Sequence, residues 1–588
     1  MNITRKRLRP LIGAVAVASA VGLALSGCTT SGSTTPTSAA GSTITEAQVN
    51  EATSFNYNTP QGNLDTNGYI WQMTQPQFFT LQGDQYNIVH NKDLGSYEKV
   101  SDDPLTVKYT LNKGLKWSDG KPMNADDLML GWAQSSGYYE SATLDADGNP
   151  TKGTQYFASA AGFPWSSDIP KVSSDNLSIT IKYTQPYVDW ELVNPIQFPA
   201  HIVAKEAGVS EADLMKAIQD TPKGDVNNPA PANATLKKAA SFINTGYDAT
   251  SMPKNKDLVV SGGPLMVTGW TPKQSMTFTK NPEYKGDHEV KFNKLVMRFI
   301  GDANAQVTAL QNGEVDAIQP QASADTVAAL KKIKGVNVIQ GNQAAYDHLD
   351  LNFKSAVFSD PTVRQAFLLT IPREQILKAI VTPVVPTAKV LDSQIWLPGQ
   401  KEYDNAVKNN GSSAFDKVDI AKAKSLLAGK TPTVKILYNT NNPNRVNAFQ
   451  AIQASAKQAG FNVTDGGSPD WSTLLTGGDY DASIFGWINP GAGNAQIPQL
   501  FQIGNSGNYN NFNNQEASDL AVQSQSTLDP EKLDKIKLQI DGLAFKDGYG
   551  LPLFQLPGVF AASSKLQGVK WFGGQNGITW NVWDWSKK

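Results

Sequence analysis

The side chains able to do chemistry in this chain are few and scattered. The four histidines, His90, His201, His288 and His348, stand singly, and the one cysteine, Cys28, has no second thiol to pair with. A zinc centre needs His or Cys ligands at short, defined spacings, and no such spacing occurs. Gly114, Gly120 and Lys121 resemble a phosphate-binding loop, but the spacing is one residue too long and Pro122 occupies the place of the magnesium-binding hydroxyl. A turn between two elements fits them better. Asp145-Ala146-Asp147-Gly148 opens like a calcium loop, yet its glycine comes early and Tyr156 stands where the chelating glutamate belongs. No Gly-x-Ser-x-Gly nucleophile elbow is present. Carboxylates are plentiful, but no spacing selects an acid pair. The expectation is a chain with no catalytic residues, no cofactor and no metal.

Cys28 has a different chemistry in view. Arg5, Lys6, Arg7 and Arg9 precede an apolar run from Leu11 to Leu25 that is too short for a stable membrane span, and Leu25-Ser26-Gly27-Cys28 closes it. These four residues match the bacterial lipobox, which implies diacylglycerol attachment to the Cys28 thiol and cleavage before it. Residues 1–27 are therefore expected to be a lipoprotein signal peptide, with the lipidated cysteine and a flexible linker over 28–43. From Thr29 to Thr43 every residue is Thr, Ser, Gly, Ala or Pro, a tether with a reach on the order of 20 Å. The rest contains no second apolar run of eighteen residues, so the expected location is the extracytoplasmic face of the cell membrane, held there by the lipid.

The elements beyond the tether have to build more than one core. The 588 residues exceed the roughly 250–300 that a single core organises, while 40% hydrophobic residues and 13 Trp supply ample core material. A net charge of -2 offers no basic excess for a phosphate backbone, so nucleic acid is excluded as the main partner. Leu105, Val107, Tyr109 and Leu111 alternate with polar residues as a half-buried strand does, and Leu177, Ile179, Ile181 and Tyr183 repeat the pattern. Asn124, with Asp127 three residues later, marks a helix start. Further on, a strand at Val434–Tyr438, a helix bearing Val446, Phe449, Ile452 and Ala456 and ending near Gly460, and a strand at Ala482–Trp487 form a β-α-β grammar. Asp529 and Pro530 open a last helix whose stripe is Leu533, Ile536, Ile540 and Leu543, with Gly548 as its stop.

Several stretches carry a resemblance together. "LTVKYTLNKGLKWSDGKPMNADDLMLGW" from Leu105, "PAHIVAKEAG" from Pro199, "SGGPLMVTGW" from Ser261, "ALQNGEVDAI" from Ala309, "LDLNFKSAVFSDPTVRQAF" from Leu349, "GDYDASIFGW" from Gly478 and "DGYGLPLFQLPGVFAASSKLQGV" from Asp547 follow one another in order. The chain resembles the family 5 solute-binding proteins of ABC importers, the peptide-binding type, in the branch common in high-GC Gram-positive bacteria. The resemblance implies an α/β, two-lobe periplasmic-binding-protein-like fold of the Venus flytrap kind, large and with an extra inserted subdomain. Lobe I would comprise 44–300 plus 552–588, with the insertion at about 88–190, and lobe II 301–551. Crossings are expected at Arg298-Phe299-Ile300 and Leu551-Pro552-Leu553. It further implies a monomer that takes an oligopeptide ligand and hands it to ABC permease and ATPase subunits. Members of this fold also bind dipeptides, nickel complexes, haem or oligosaccharides, and a non-transport envelope lipoprotein of the same fold is the remaining alternative.

Two departures from the family pattern stand out. Pro372 replaces the usual Asp before Arg-Glu and is expected at the first position of the next helix. In peptide-binding members an Asp three residues after the Gly-Trp pair holds the ligand's ammonium; here Gly486-Trp487-Ile488-Asn489-Pro490 puts Pro490 in that place. Gly486, Trp487, Ile488 and Asn489 are expected to line the ligand cleft, with Trp487 as a wall. Either another acid takes over, for which Asp470 is the candidate, or the ligand's amino end is blocked, absent or left in water.

Overall fold

In the strand Leu105–Leu111 every apolar side chain is buried and every polar one half-exposed, the pattern that period-2 alternation demands. It pairs antiparallel with Gly95–Asp102 and Ser178–Lys182, and Lys171–Val172 completes a four-stranded sheet. Gly114 and Gly120 adopt φ of 88° and 85°, conformations that suit glycine in a turn, and no phosphate loop forms there. The helix Ala125–Ser135 starts with a full capping box. The Asp127 carboxylate accepts from the Trp117 indole (3.0 Å) and the backbone N–H groups of Asn124 (3.0 Å) and Ala200 (2.8 Å). Burial pushes this carboxyl up to about 7. Trp117 and Asp127 are thus scaffold. This computed structural model describes residues 42–588 apart from 84, 145–149, 161 and 490–491. The expected signal peptide, the lipobox with Cys28, most of the linker, the calcium-like Asp145–Gly148 stretch and Pro490 lie outside the described residues.

A ten-stranded mixed sheet is the frame of the molecule. Its order is Leu265–Thr271, Ser275–Lys280, Lys294–Phe299, Thr43–Gln48, Ala317–Ile318, Gly550–Ser563, Val336–Leu351, Ala482–Ile488, Thr433–Tyr438 and Asn462–Asp465. Two long strands, Val336–Leu351 and Gly550–Ser563, run antiparallel side by side along most of their length. They join halves that each bury their own apolar cluster. The first cluster draws mainly on residues from Ile44 to Met297 and from Phe560 to Trp585. The second draws mainly on Val307 to Phe554, with Ala47, Val559 and Ala561. Within Gly550–Ser563, Leu551, Leu553 and Phe554 belong to the second core, while Phe560 and Ala562 belong to the first. The fold is α/β with two lobes.

The β-α-β grammar of the second half appears as Thr433–Tyr438, Pro443–Ala459 and Ala482–Ile488, and the helix ends on Gly460 at φ 111°. The helix Pro530–Asp547 is capped by Asp529 and stopped by Gly548 in the left-handed region. Its stripe continues from Ile540 to Ala544, whereas Leu543 is only half-buried. Pro372 corrects a second expectation: it is the N-cap of Arg373–Ile380, one position earlier than the first turn, and supplies no side-chain cap.

Candidate functional site

A cavity of about 790 Å³ opens between segments of the two cores, with Tyr57, Trp71, Trp165 and Tyr187 on one side and Gly486–Ile488 and Gln496 on the other. A neighbouring cavity of about 690 Å³ shares Tyr57, Asn58, Trp71, Ile488 and Gln575 with it. Together they form one cleft. Among the described residues lining it, Asp65 is the sole charged side chain, and carboxamides dominate the polar surface.

The strand Ala482–Ile488 reaches the cleft because its neighbour on one side stops early. Ala482–Ile484 pair in parallel with Ile436–Tyr438, and the next residue of that neighbour, Asn439, keeps only a bridge on its far edge, to Ser468. From Phe485 onward that edge has no strand partner among the described residues, while the other edge stays paired with Ala345–Leu351. Gly486 is a glycine for a packing reason. A Cβ there would stand 2.8 Å from Asp347 Oδ1 and 3.0 Å from Arg445 Nη2. Arg445 grips Asp347 with two hydrogen bonds, Nε to Oδ2 at 3.0 Å and Nη2 to Oδ1 at 2.9 Å, and its guanidinium covers the Trp471 ring.

Trp487 is half-buried and lies nearly parallel to Tyr509 (6.0 Å, 16°) and to His348 (6.4 Å, 13°). Its indole Nε1 is buried without a hydrogen-bond partner. Ile488 is 52% exposed. Gly486, Trp487 and Ile488 therefore meet at the cavity wall. Asn489 does not: it is buried, its N–H donates to Ala344 O (2.6 Å) and its side chain donates to Ile395 O (3.1 Å), so it braces the wall from behind. Asp470 is also not brought to the cleft. Its helix, Trp471–Gly477, packs Leu475 inward and turns Trp471 to Arg445 and Phe485, which leaves the preceding Asp470 exposed.

A polar contact joins the two sides beside the cavity. Asp189, two residues after the wall residue Tyr187, accepts from the backbone and side-chain N–H groups of Asn494. The Val188 N–H donates to Gln525 O (2.8 Å), and Gln525 Nε2 donates to Asn494 O (3.0 Å). Burial pushes the Asp189 carboxyl up and lowers the ammonium of Lys537 nearby. The histidines remain apart. His201 pairs with Asp119 (2.8 Å), His288 with Asp93 (2.7 Å) and His348 with Asp350 (2.7 Å), while His90 stacks on Tyr97. Among the described residues no group of three or more His, Cys, Asp or Glu is placed to hold a metal ion.

The aromatic wall and the Asp189 contact escaped the sequence reading, because their residues come from segments far apart that only the folded chain brings together. One local signal existed: the carboxamides of Asn56, Asn58 and Asn63 crowd a short stretch that borders the cleft.

Comparison with known proteins places this geometry. The model of bacterial extracellular solute-binding proteins, family 5, matches residues 91–509. The oligopeptide-binding protein OppA of Mycobacterium tuberculosis is 21% identical over 530 residues, covering 87% of this chain and 79% of that protein. The dipeptide-binding protein DppE of Bacillus subtilis is 23% identical over 497 residues, covering 82% of each. Among solved structures, the periplasmic EDTA-binding protein EppA superposes with a TM-score of 0.77 at 22% identity, over 93% of this chain and 96% of that one. The oligopeptide-binding protein AppA of Bacillus subtilis, in complex with a nonapeptide, superposes with 0.63 at 18% identity, over 93% and 99%. At these identities the superpositions establish the fold.

Proposed function

The chain belongs to the bacterial extracellular solute-binding proteins of family 5, and from that premise we propose that it captures oligopeptides between its two lobes and delivers them to an ABC permease with its ATPases. The observation that carries this reading is the free edge of the Ala482–Ile488 strand from Phe485 onward, which opens on the cavity. An extended peptide can add to such an edge through its main chain, and a roomy cavity leaves its side chains to water, so affinity depends little on ligand sequence. Closure of one lobe on the other would bury the peptide and present a joint surface to the permease. Relatives named for oligopeptide and dipeptide binding support the ligand class.

The lobe division at 44–300 plus 552–588 and 301–551 belongs to this proposal, supported by the two apolar cores, which draw largely on those stretches. So does attachment to the membrane through lipid on Cys28, for which the lipobox and the Ser/Thr-rich tether speak. One second reading has an observation in its favour: the walls Trp71, Trp165, Tyr187 and Trp487 would also suit stacking on a neutral sugar. Deleting the gene tests the transport role. Uptake of the peptides that the purified protein binds should fall, and unimpaired uptake of all of them would instead favour an envelope lipoprotein outside transport.

A further inference from the structure

The strand Thr43–Gln48 begins where the Ser/Thr-rich tether ends, and Val49 and Asn50, just past its other end, line the cleft. The two long strands share this polarity. Gln343–Ala345 and Gly558–Phe560 line the cleft, whereas Val336 and Ser563 pair with each other at the tether end. At about 3.3 Å per residue, the 6 residues of Thr43–Gln48 separate the two ends by roughly 20 Å. The chain therefore leaves its tether on the face of the sheet opposite to the cleft.

That face collects lysines. Lys294 stands in register with Thr43, and Lys291 lies two residues before Asn293, whose N–H donates to Ser42 O (3.2 Å). On the other side of the tether strand, Lys565 follows Ser564, whose N–H donates to Gly335 O (2.8 Å), and Lys331, Lys332 and Lys334 close the helix Ala324–Lys331 and the turn leading to that glycine. All of these lysines are exposed, and none forms an ion pair among the described residues. The acids of the same segments are held by other cations: Asp316 by Lys587 (2.8 Å), Glu314 by Arg298 (3.1 Å) and Glu289 by Lys280 (3.4 Å). Asp287 and Lys285, in the loop before Lys291, offset each other. The strands concerned are neighbours, in the order Lys294–Phe299, Thr43–Gln48, Ala317–Ile318, Gly550–Ser563 and Val336–Leu351. At about 4.8 Å per strand the lysines bracket the tether within roughly 20 Å, so their fields overlap through a screening length of about 8 Å. In a chain of net charge -2 this segregation does not follow from composition.

Resting on the lipid-anchored reading above, we propose that this lysine face docks on anionic phospholipid head groups of the membrane and holds the tethered protein with its cleft turned outward while ligand is captured. The anchor brings the lysines to a surface of opposite charge, and a screened electrostatic contact is reversible, so the lobes can turn to the permease once closed. Without the high local concentration that the tether supplies, the face alone does not retain the chain on cells at physiological salt. Sedimentation of the unlipidated mature chain, Cys28→Ala, with vesicles at low salt reads the face apart from the anchor. Vesicles of equal parts phosphatidylglycerol and phosphatidylcholine should bind it, and pure phosphatidylcholine or high salt should abolish binding. Lys294→Gln, Lys332→Gln, Lys334→Gln and Lys565→Gln combined should lower the partition at least about tenfold, with peptide affinity at the parental level because the cleft lies at the other end of the sheet. Lys408→Gln, Lys422→Gln, Lys424→Gln and Lys535→Gln, the same charge change on exposed helical positions elsewhere, should leave vesicle binding intact. Absence of binding at low salt, equal binding to both vesicle types, or equal loss in the two variants would overturn the proposal. Capture by poly(glycerol phosphate) in place of the vesicles would assign the face to an anionic wall polymer and overturn it likewise. Failure of the anchor itself would appear differently, as unchanged membrane association of Cys28→Ala in cells.

Discussion

The carboxylate of Asp189 receives the backbone N–H of Asn494, shared between its oxygens at 2.8 and 3.0 Å, and the side-chain amide of the same residue at 2.9 Å. The two residues are 305 positions apart and belong to opposite sides of the cleft. Asp189→Ala leaves the Asn494 donors unpaired when the lobes are together. Hydrogen bonds to a charged group contribute about 1.5–3 kcal/mol, so peptide affinity should drop roughly ten- to hundredfold in calorimetry. Unchanged affinity would show that this contact does not hold the liganded form.

Glu46 sits in the Thr43–Gln48 strand with no exposure, accepting at Oε2 from Gln48 and leaving Oε1 unpaired. Burial raises its carboxyl from 4.5 to about 8. The folded protein thus holds this proton more tightly than the unfolded chain, and this group lowers stability progressively as pH rises between those values. Glu46→Gln should match the parent near pH 4.5 and exceed it at pH 8 by an amount on the order of a few kcal/mol. Parallel denaturant midpoints at both pH values would contradict this.

Gly486→Ala drives a methyl group against the Asp347–Arg445 pair at 2.8 and 3.0 Å. Overpacking of this kind costs about 1–3 kcal/mol, and displacement of the strand edge should weaken peptide binding along with it. Urea unfolding and calorimetry read the two effects, and a variant with parental stability would show that the pair yields freely.

Cys28→Ala removes the thiol that the lipobox marks for acylation. Cell fractionation should find the variant released into the medium, and membrane association at the parental level would remove the lipid anchor from the account.

Local rules in the sequence survived folding where a single element satisfied them. The alternation of Leu105–Leu111, the Asn124–Asp127 capping box and the Asp529-to-Gly548 helix limits are each decided within a few residues. Pro372 was misplaced by one position because a proline fits both sides of a helix start, and nothing local distinguishes them. The strand bearing Gly486–Ile488 was legible, but which of its residues face the cleft was not. Asn489 turns its amide to Ile395, and Asp470 is left outside by the packing of Trp471, both consequences of contacts distant in sequence. The uncharged walls were illegible for the same reason, since Tyr57, Gln134, Trp165, Tyr187 and Gln496 lie in separate segments.

Native mass spectrometry of the protein purified from its host tests the central claim most directly, because a ligand buried between two lobes can survive purification. The account predicts a heterogeneous set of adduct masses that fragment into peptide ladders. A single sugar or metal-complex adduct, with no peptide among the bound species, would contradict it.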